Sequence, residues 1–277
     1  VSGIIDSIKS YEYNNSYGSN TRIVYRKKFI SSNMFTFKPF KNFHASIGNS
    51  IVYSDMDDHP GYIIPIFLYK SVDHTLNDGL TNEGGQNSQL FIDISSRQIK
   101  HLHLYTTFFF DDISTTRLKE NGHMDYYSVN TGFQIADLKP NTFITFEYFQ
   151  SYPLVYKHDM PTTTYESNFY NLGHYMQDNS RNYFLEFKIR PVRGLSITAH
   201  YLHSIHGLDH TDLGTDRLEV IDLLLDEIDW ERKEISLRAN WQIINDFYVF
   251  GEYINRNVSG NAQKYSPSFY YGKTNTL

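Results

Sequence analysis

Residues 181 to 203 read RNYFLEFKIRPVRGLSITAHYLH, and this alternation constrains the fold more than any other feature of the chain. Tyr183, Leu185, Phe187 and Ile189 share one side of the first run, with Glu186, Lys188 and Arg190 on the other, because strand side chains alternate with period two. After a turn at Pro191 to Gly194, Leu195, Ile197, Ala199 and Tyr201 oppose Ser196, Thr198 and His200, as in an antiparallel hairpin. The apolar face of such a hairpin must be covered, either by a second sheet or by lipid.

The same pattern recurs along the chain. Strands are expected near 21 to 30, 34 to 40, 43 to 53, 88 to 95, 100 to 112, 124 to 137, 142 to 155, 181 to 190, 195 to 206, 230 to 243, 246 to 257 and 263 to 277. Short connections, PFKN (39 to 42), SRQIK (96 to 100), DLKPN (137 to 141), RPVRG (190 to 194) and IINDF (243 to 247), each carry turn formers. They alternate with long ones at 54 to 87, 113 to 123, 157 to 180 and 207 to 229. A barrel with tight periplasmic turns at one end and extracellular loops at the other produces this order. A Greek-key sandwich has no reason to keep it.

Composition supports strands. The chain has 23 Tyr and 20 Phe against 2 Trp, an excess that suits half-buried pleated surfaces. Phe40, Phe43, Trp241 and Phe247 flank short turns, while Tyr53, Phe108, Phe109, Phe110, Tyr126, Tyr127, Phe149 and Tyr183 lie toward long loops, the placement expected of two interfacial girdles. No run of about 18 apolar residues offers a transmembrane helix, whereas barrel strands need only about 9 to 11. The expected fold class is therefore all-β, an antiparallel transmembrane β-barrel of the outer-membrane type forming one domain over 1 to 277, with outer-membrane lipid as its partner.

A net charge of -6 gives no basic footprint for nucleic acid. Zero Cys excludes disulfides and thiolate metal sites. The chain opens at Val1 without Met or a signal sequence and closes on YYGKTNTL, so a mature or trimmed form with further residues at its ends is expected. One segment departs from β: DRLEVIDLLLDEIDW sets Leu218, Ile221, Leu225 and Ile228 at helical spacing, predicting a short amphipathic helix within the 207 to 229 loop.

FEYFQSYPLVYKH (146 to 158) and NFYNLGHYMQDNSRNYFLEF (168 to 187) resemble the Wzi-like capsule-assembly outer-membrane barrels. The likeness is greatest to their Bacteroidota branch, which includes gliding-associated envelope barrels. The shared features are a Tyr-rich approach, a Leu-Gly-His step at Leu172, Gly173 and His174, and the Asp178, Asn179 and Ser180 run into the next strand. SIVYSDMDDHPGYIIPIFLYKSVDH and QLFIDISSRQIKHLHLYTTFFFDDI continue the likeness upstream, and it covers roughly residues 43 to 206. The resemblance implies a non-enzymatic outer-membrane protein that helps to hold surface polysaccharide. The alternative is a structural or accessory barrel in a secretion, gliding or adhesion complex, with other outer-membrane proteins as partners. A soluble carbohydrate-binding sandwich is the third reading.

Three groups of residues are candidates for function. In the 157 to 180 loop, Tyr165, Tyr170, His174 and Tyr175 can stack on sugar faces, and Asn168, Gln177, Asp178 and Asn179 can satisfy hydroxyls; packing of the same aromatics on the barrel rim is the competing role. His203, His206, Asp209, His210, Asp212 and Asp216 could ligate Zn²⁺ or Ca²⁺, but they match no HExxH or EF-hand spacing. A solvated loop is the preferred reading there, so neither metal nor cofactor is expected. Glu147, Glu186, Lys188, Arg190, Arg238 and Glu252 are expected inside the barrel, pairing across strands. No Gly-x-Ser-x-Gly elbow is present, and no enzymatic activity is expected.

Overall fold

The computed structural model describes residues 2–15, 18–54, 60–77, 86–111, 126–158, 161–167, 170–210, 223–265 and 272–276. The strands are β1 (Ser2–Asn15), β2 (Gly18–Phe40), β3 (Phe43–Ser54), β4 (Asn87–Ser96), β5 (Leu102–Asp111), β6 (Tyr127–Ala136), β7 (Thr142–Ser151), β8 (Glu166–Ser167), β9 (Tyr170–Asn171), β10 (Ser180–Ile189), β11 (Leu195–Gly207), β12 (Ile228–Ile244), β13 (Phe247–Gly260) and β14 (Gly272–Thr276). All but β8 and β9, which form their own small ribbon, join one sheet of twelve strands in simple meander order. Every pairing is antiparallel. Among the described residues the α-helices are short: α1 (Pro60–Ile63), α2 (Tyr69–Asn77) and α3 (Ala262–Tyr265). No helix among the described residues is long and apolar enough to cross a membrane, which says nothing about strands.

At least one residue in the left-handed region sits at or beside each of the five short turns: Asn42, His101, Asp137 with Asn141, Gly194 and Asp246. This conformation lets a type I turn close into a twisted hairpin. At Gly194 a side chain would also bring a Cβ to 2.5 Å from the Gln242 carbonyl oxygen. His101 tolerates the conformation while its Nδ1 bonds the Ala136 carbonyl oxygen at 2.8 Å.

With the register fixed, each strand's apolar set falls on the same side of the sheet. Phe35 pairs with Ile47 and Ile47 with Ile92. Ile92 pairs with Phe108 and Phe108 with Val129. Phe133 pairs with Phe146, Phe146 with Leu185 and Leu185 with Tyr201. Ala199 pairs with Leu237 and Leu237 with Tyr253. These rows form an apolar belt from β2 to β13, and Phe35, Ile47, Leu104, Leu185, Phe187, Ile235, Leu237 and Trp241 within it are exposed. On β5 the belt runs from Leu102 to Phe110, about 26 Å at roughly 3.3 Å per residue.

The opposite face is polar and internally paired. Tyr105 donates to Glu147 at 2.8 Å, Thr107 to Asp93 at 2.8 Å and Ser204 to Asn182 at 2.6 Å, while Arg256 binds Glu234. Arg238 and Glu252 stand opposite one another in register. Gly132 faces Tyr105, whose ring lies where a Cβ would be, 2.6 Å from the hydroxyl oxygen.

Between β7 and β10, the described residues of the 152–179 segment lie across this polar face. Its Thr162, Thr163 and Thr164 reach β2 to β4: Ser54 donates to Thr162 at 2.9 Å, Asn87 to the Thr163 carbonyl at 3.0 Å, and Lys28 to Thr164 at 3.2 Å. Met176 packs with Phe149 of β7, Trp230 of β12 and Val258 of β13. Strands far apart in sheet order therefore meet through one segment, so the polar face is the concave one.

Several expectations are corrected. The runs at 21 to 30 and 34 to 40 are one strand, β2, and β1 was not anticipated. β7 ends at Ser151 rather than near 155, because Leu154 and Tyr156 turn back with positive φ. Within 263 to 277 only 272–276 is strand among the described residues. The 54 to 87 connection contains α1 and α2, whose Tyr62 and Tyr69 cover Ile51 and Tyr53 on the belt side of β3. Of the predicted helix in the 207 to 229 loop, 211–222 lies outside the described residues; 223–227 is turn and Ile228 to Trp230 begin β12.

Candidate functional site

The loop end of the sheet holds the features that could meet a ligand. On its convex side a band of aromatic rings lies above the apolar belt. The Tyr127 and Tyr152 rings lie 4.4 Å apart and tilted, Tyr148 lies 5.1 Å from Tyr183, and Tyr183 lies 6.1 Å from His203. Polar ends in this band are paired: Tyr127 donates to Tyr152 at 3.1 Å, Arg181 binds Gln150 at 2.9 Å, and His203 meets Glu231 at 2.8 Å. Phe109, Tyr126 and Phe149, expected in this girdle, turn inward instead, to Tyr156, Tyr165, Leu154 and Met176.

Inside, the 152–179 segment distributes the predicted site residues among different roles. Tyr165 is packed between Phe109, at 5.3 Å, and Tyr156, at 6.1 Å, and burial raises its pKa. It holds the segment to the sheet rather than presenting a ring. His174 stacks on Phe149 at 3.5 Å, and its Nδ1 accepts the Met176 N–H at 3.2 Å. Burial pushes its pKa down to about 4, so the ring is neutral at pH 7.

Asp178 and Asn179 are buried and fully engaged, which assigns them to architecture and not to sugar hydroxyls. Asp178 accepts the Leu154 N–H at 2.9 Å and the Lys157 ammonium at 2.9 Å. Asn179 accepts from the Leu225 N–H and donates to the Leu208 carbonyl, both at 2.9 Å. Its own carbonyl receives the Gly207 N–H at 2.8 Å. One side chain thus fastens the β7–β10 segment to the β11–β12 loop. Asn168 lies outside the described residues.

Two predicted aromatics remain available. Tyr170, on β9, is 78% exposed. Tyr175 is 66% exposed, yet Arg232, Glu147 and Ser204 on three strands influence its hydroxyl. It therefore stands in water within the concave face rather than on the outer surface. Tyr170 and Tyr175 can each offer a ring face to a saccharide, and Tyr175 adds a phenol among charged groups.

The His and Asp cluster separates. His203 belongs to the outer aromatic band, and Asp212 and Asp216 lie outside the described residues. His206 and Asp209 gather with Asp178, one potential ligand atom from each lying within 4.8 Å of the others. Two ammonium groups already serve these carboxylates. Lys157 lies 2.9 Å from Asp178 and 3.1 Å from Asp209, and Lys264 of α3 binds Asp209. Burial alone would lower the Lys157 pKa, but Asp178 and Asp209 outweigh it and raise it. Burial would raise Asp209, and Lys264 and Lys157 outweigh that to hold it down. Both charges persist at neutral pH, and the cluster works as a clasp joining three loops.

One arrangement escaped the sequence reading. On the concave face Ser236 Oγ lies 2.9 Å from His200 Nδ1, and His200 Nε2 lies 3.2 Å from Glu234. A Ser, His and Glu in series have the order of a hydrolytic triad. Ser236, however, is 1% exposed, so its hydroxyl cannot meet an acyl group. Glu234 is also shared with Arg232, at 2.7 Å, and Arg256. This is a cross-strand polar network. No spacing rule finds it, since His200 comes from β11 and only register brings it to Ser236 and Glu234 of β12.

No protein-family model, curated protein or solved structure matches the chain.

Proposed function

We propose that this chain is a transmembrane β-barrel of the bacterial outer membrane that engages surface polysaccharide at its loop end and catalyses no reaction. The observation that carries the reading is the belt: rows of exposed apolar side chains in register from β2 to β13, on the convex face of a sheet whose concave face is polar. Water-soluble monomers rarely expose an apolar patch beyond a few hundred Å², whereas hydrocarbon requires one. The belt's 26 Å run along β5, tilted by about 45°, would stand roughly 20 Å tall, near the roughly 25 Å band of such barrels. The paired aromatic band above it suits the membrane–water interface.

Closure is part of this proposal. In the belt, 31–40 of β2 and 247–253 of β13 have a pairing partner on one side only among the described residues. Open edges in hydrocarbon would leave N–H and C=O groups unpaired at several kcal/mol each, so the membrane form must cover both. The 152–179 segment would then lie in the lumen, with Tyr170 and Tyr175 toward the loop end. Carbohydrate as the ligand class is supported by these two rings, the hydroxyl- and carboxylate-rich concave lining, and the resemblance of 146–187 to Wzi-like barrels.

A second reading, an accessory barrel within a multiprotein outer-membrane complex, draws on one feature. Ile63, Ile64, Ile66, Phe67 and Leu68 are all exposed, beside α1 and α2 on the belt side of β3. Purified protein in mild detergent separates the two. Binding to surface glycans on an array, lost when the rings are removed, supports the first reading. Stoichiometric co-purification of other envelope proteins without glycan binding would replace it with the second.

A further inference from the structure

The short turns share a chemistry that the fold does not require. Three of them carry the same tetrad of basic, any, apolar, basic: Lys38-Pro39-Phe40-Lys41, Arg97-Gln98-Ile99-Lys100 and Arg190-Pro191-Val192-Arg193. A fourth keeps its second half as Leu138-Lys139. The apolar tips Phe40, Ile99, Leu138 and Val192 are 58% to 69% exposed, and all seven basic side chains are exposed too. Closing the turns needs only a residue at positive φ, supplied by Asn42, His101, Asn141 and Gly194. The short-turn end thus gathers seven basic residues against Asp137 and Asp246, in a chain whose net charge is -6.

We infer that this end is a docking surface for the anionic phospholipid headgroups of the membrane leaflet it borders. The inference rests on the belt lying in lipid. The tips are only a few residues beyond belt positions: Phe40 follows Phe37, and Val192 follows Ile189. At about 3.3 Å per residue that is roughly 10 Å along the strand, or about 7 Å of depth at a tilt of about 45°, within the headgroup layer. An apolar tip flanked by cations fits that layer, with the tip directed to the acyl boundary and Lys38, Lys41, Lys100 and Arg193 extended to phosphate, while Arg190 lies over the Phe143 ring at 5.4 Å and Arg97 meets His103 at 3.4 Å.

The repeat is also spread in a way that selects this partner. The four turns close successive hairpins, and neighbouring hairpins lie about 10 Å apart around the sheet. A planar anionic layer meets all four at once, whereas a single acidic protein segment would meet one or two. At the 190–194 turn, Arg190, Arg193, Asn141 and Gly194 line an open concavity of about 510 Å³, roomy enough for a phosphodiester headgroup. Trp241 stands beside this turn, opposite Leu195, with the Gln242 N–H bonded to the Gly194 carbonyl at 2.9 Å.

Trp241 makes the inference measurable. The chain has two Trp, so Trp230→Phe leaves Trp241 as the only one. The folded full chain is placed in bilayers mixing brominated phosphatidylglycerol or brominated phosphatidylcholine with unlabelled lipid, and quenching gives their relative association at this site. The expected preference for phosphatidylglycerol is about fivefold or more at low salt. It should fall toward one in about 0.5 M salt and in the Lys41→Gln/Lys100→Gln/Arg193→Gln variant. Equal quenching by both lipids at low salt would overturn the inference and leave the belt in lipid. Equal quenching with salt-sensitive retention on a polyanionic resin, lost in the triple variant, would overturn it in favour of an acidic polymer. Quenching by neither lipid would remove the belt reading itself, and this inference with it.

Discussion

At the scale of single residues, the sequence singled out the 157 to 180 loop, and the structure gives several of its members packing roles. Asp178 and Asn179 looked like ligands because they are polar and lie near aromatics, yet burial is a tertiary property and turns both into fasteners. Replacing Asn179 with Ala leaves the Leu225 N–H and the Leu208 carbonyl without their partner. A loss of about 2–4 kcal/mol is expected, read as a lower unfolding temperature by circular dichroism. His174 makes a pH-dependent contribution. The unfolded imidazole takes its proton near 6.5, and burial against Phe149 holds the folded one down to about 4. The neutral ring therefore stabilises the folded segment fully above about pH 6.5, and this is lost as pH falls from there through about 4. At pH 5 the loss approaches about 2 kcal/mol. Amides of 170–179 should exchange faster at pH 5 than at pH 7 after correction for intrinsic rates, and His174→Phe should abolish the difference.

At the scale of elements, the strands and short turns were legible and the content of the long connections was not. Alternation located nine of the twelve sheet strands to within a few residues and β2 as two pieces, since period two is written in the side chains themselves. The helices α1 and α2, the 152–179 segment on the concave face and the Ser236, His200 and Glu234 series depend on which surfaces meet after the sheet has curled. The segment's two open rings give the sharpest test of ligand binding. Tyr170→Ala and Tyr175→Ala should each weaken retention of surface polysaccharide by about 1–3 kcal/mol without lowering the unfolding temperature, as measured by glycan-array titration beside circular dichroism. Unchanged binding in both would move the ligand elsewhere. The Ser236 network leads to the opposite kind of expectation. A fluorophosphonate probe should leave the folded protein unlabelled, and covalent labelling at Ser236 would reopen the enzymatic reading.

At the scale of the whole molecule, the belt carries the proposal of a lipid medium. Membrane-extracted protein should migrate faster unboiled than boiled on a denaturing gel and fractionate with the outer membrane. Protein that stays soluble without detergent and shows no shift would send the same strands back to a sandwich. Leu237 stands in mid-belt, between Ala199 and Tyr253. Leu237→Arg should cost about 2–4 kcal/mol of folding free energy in bilayers, seen as a smaller folded fraction on the same gel. The equivalent change at Ser196, on the concave face, should be tolerated.

The sequence by itself determined the all-β class, the positions of most strands, the division between short-turn and long-loop ends and the existence of one apolar face. These follow from local rules: pleat periodicity and turn chemistry act over a few residues. Only the tertiary structure decided that the apolar faces of successive strands fall in one continuous register and that the other face is concave. It also decided that the described residues of the 152–179 connection pack against that concave face while Tyr170 and Tyr175 stay open. Those outcomes depend on hydrogen bonds and side-chain contacts between residues far apart in the chain, such as Ser54 with Thr162 and Lys157 with Asp209, and no local pattern encodes which distant partner a buried polar group will find.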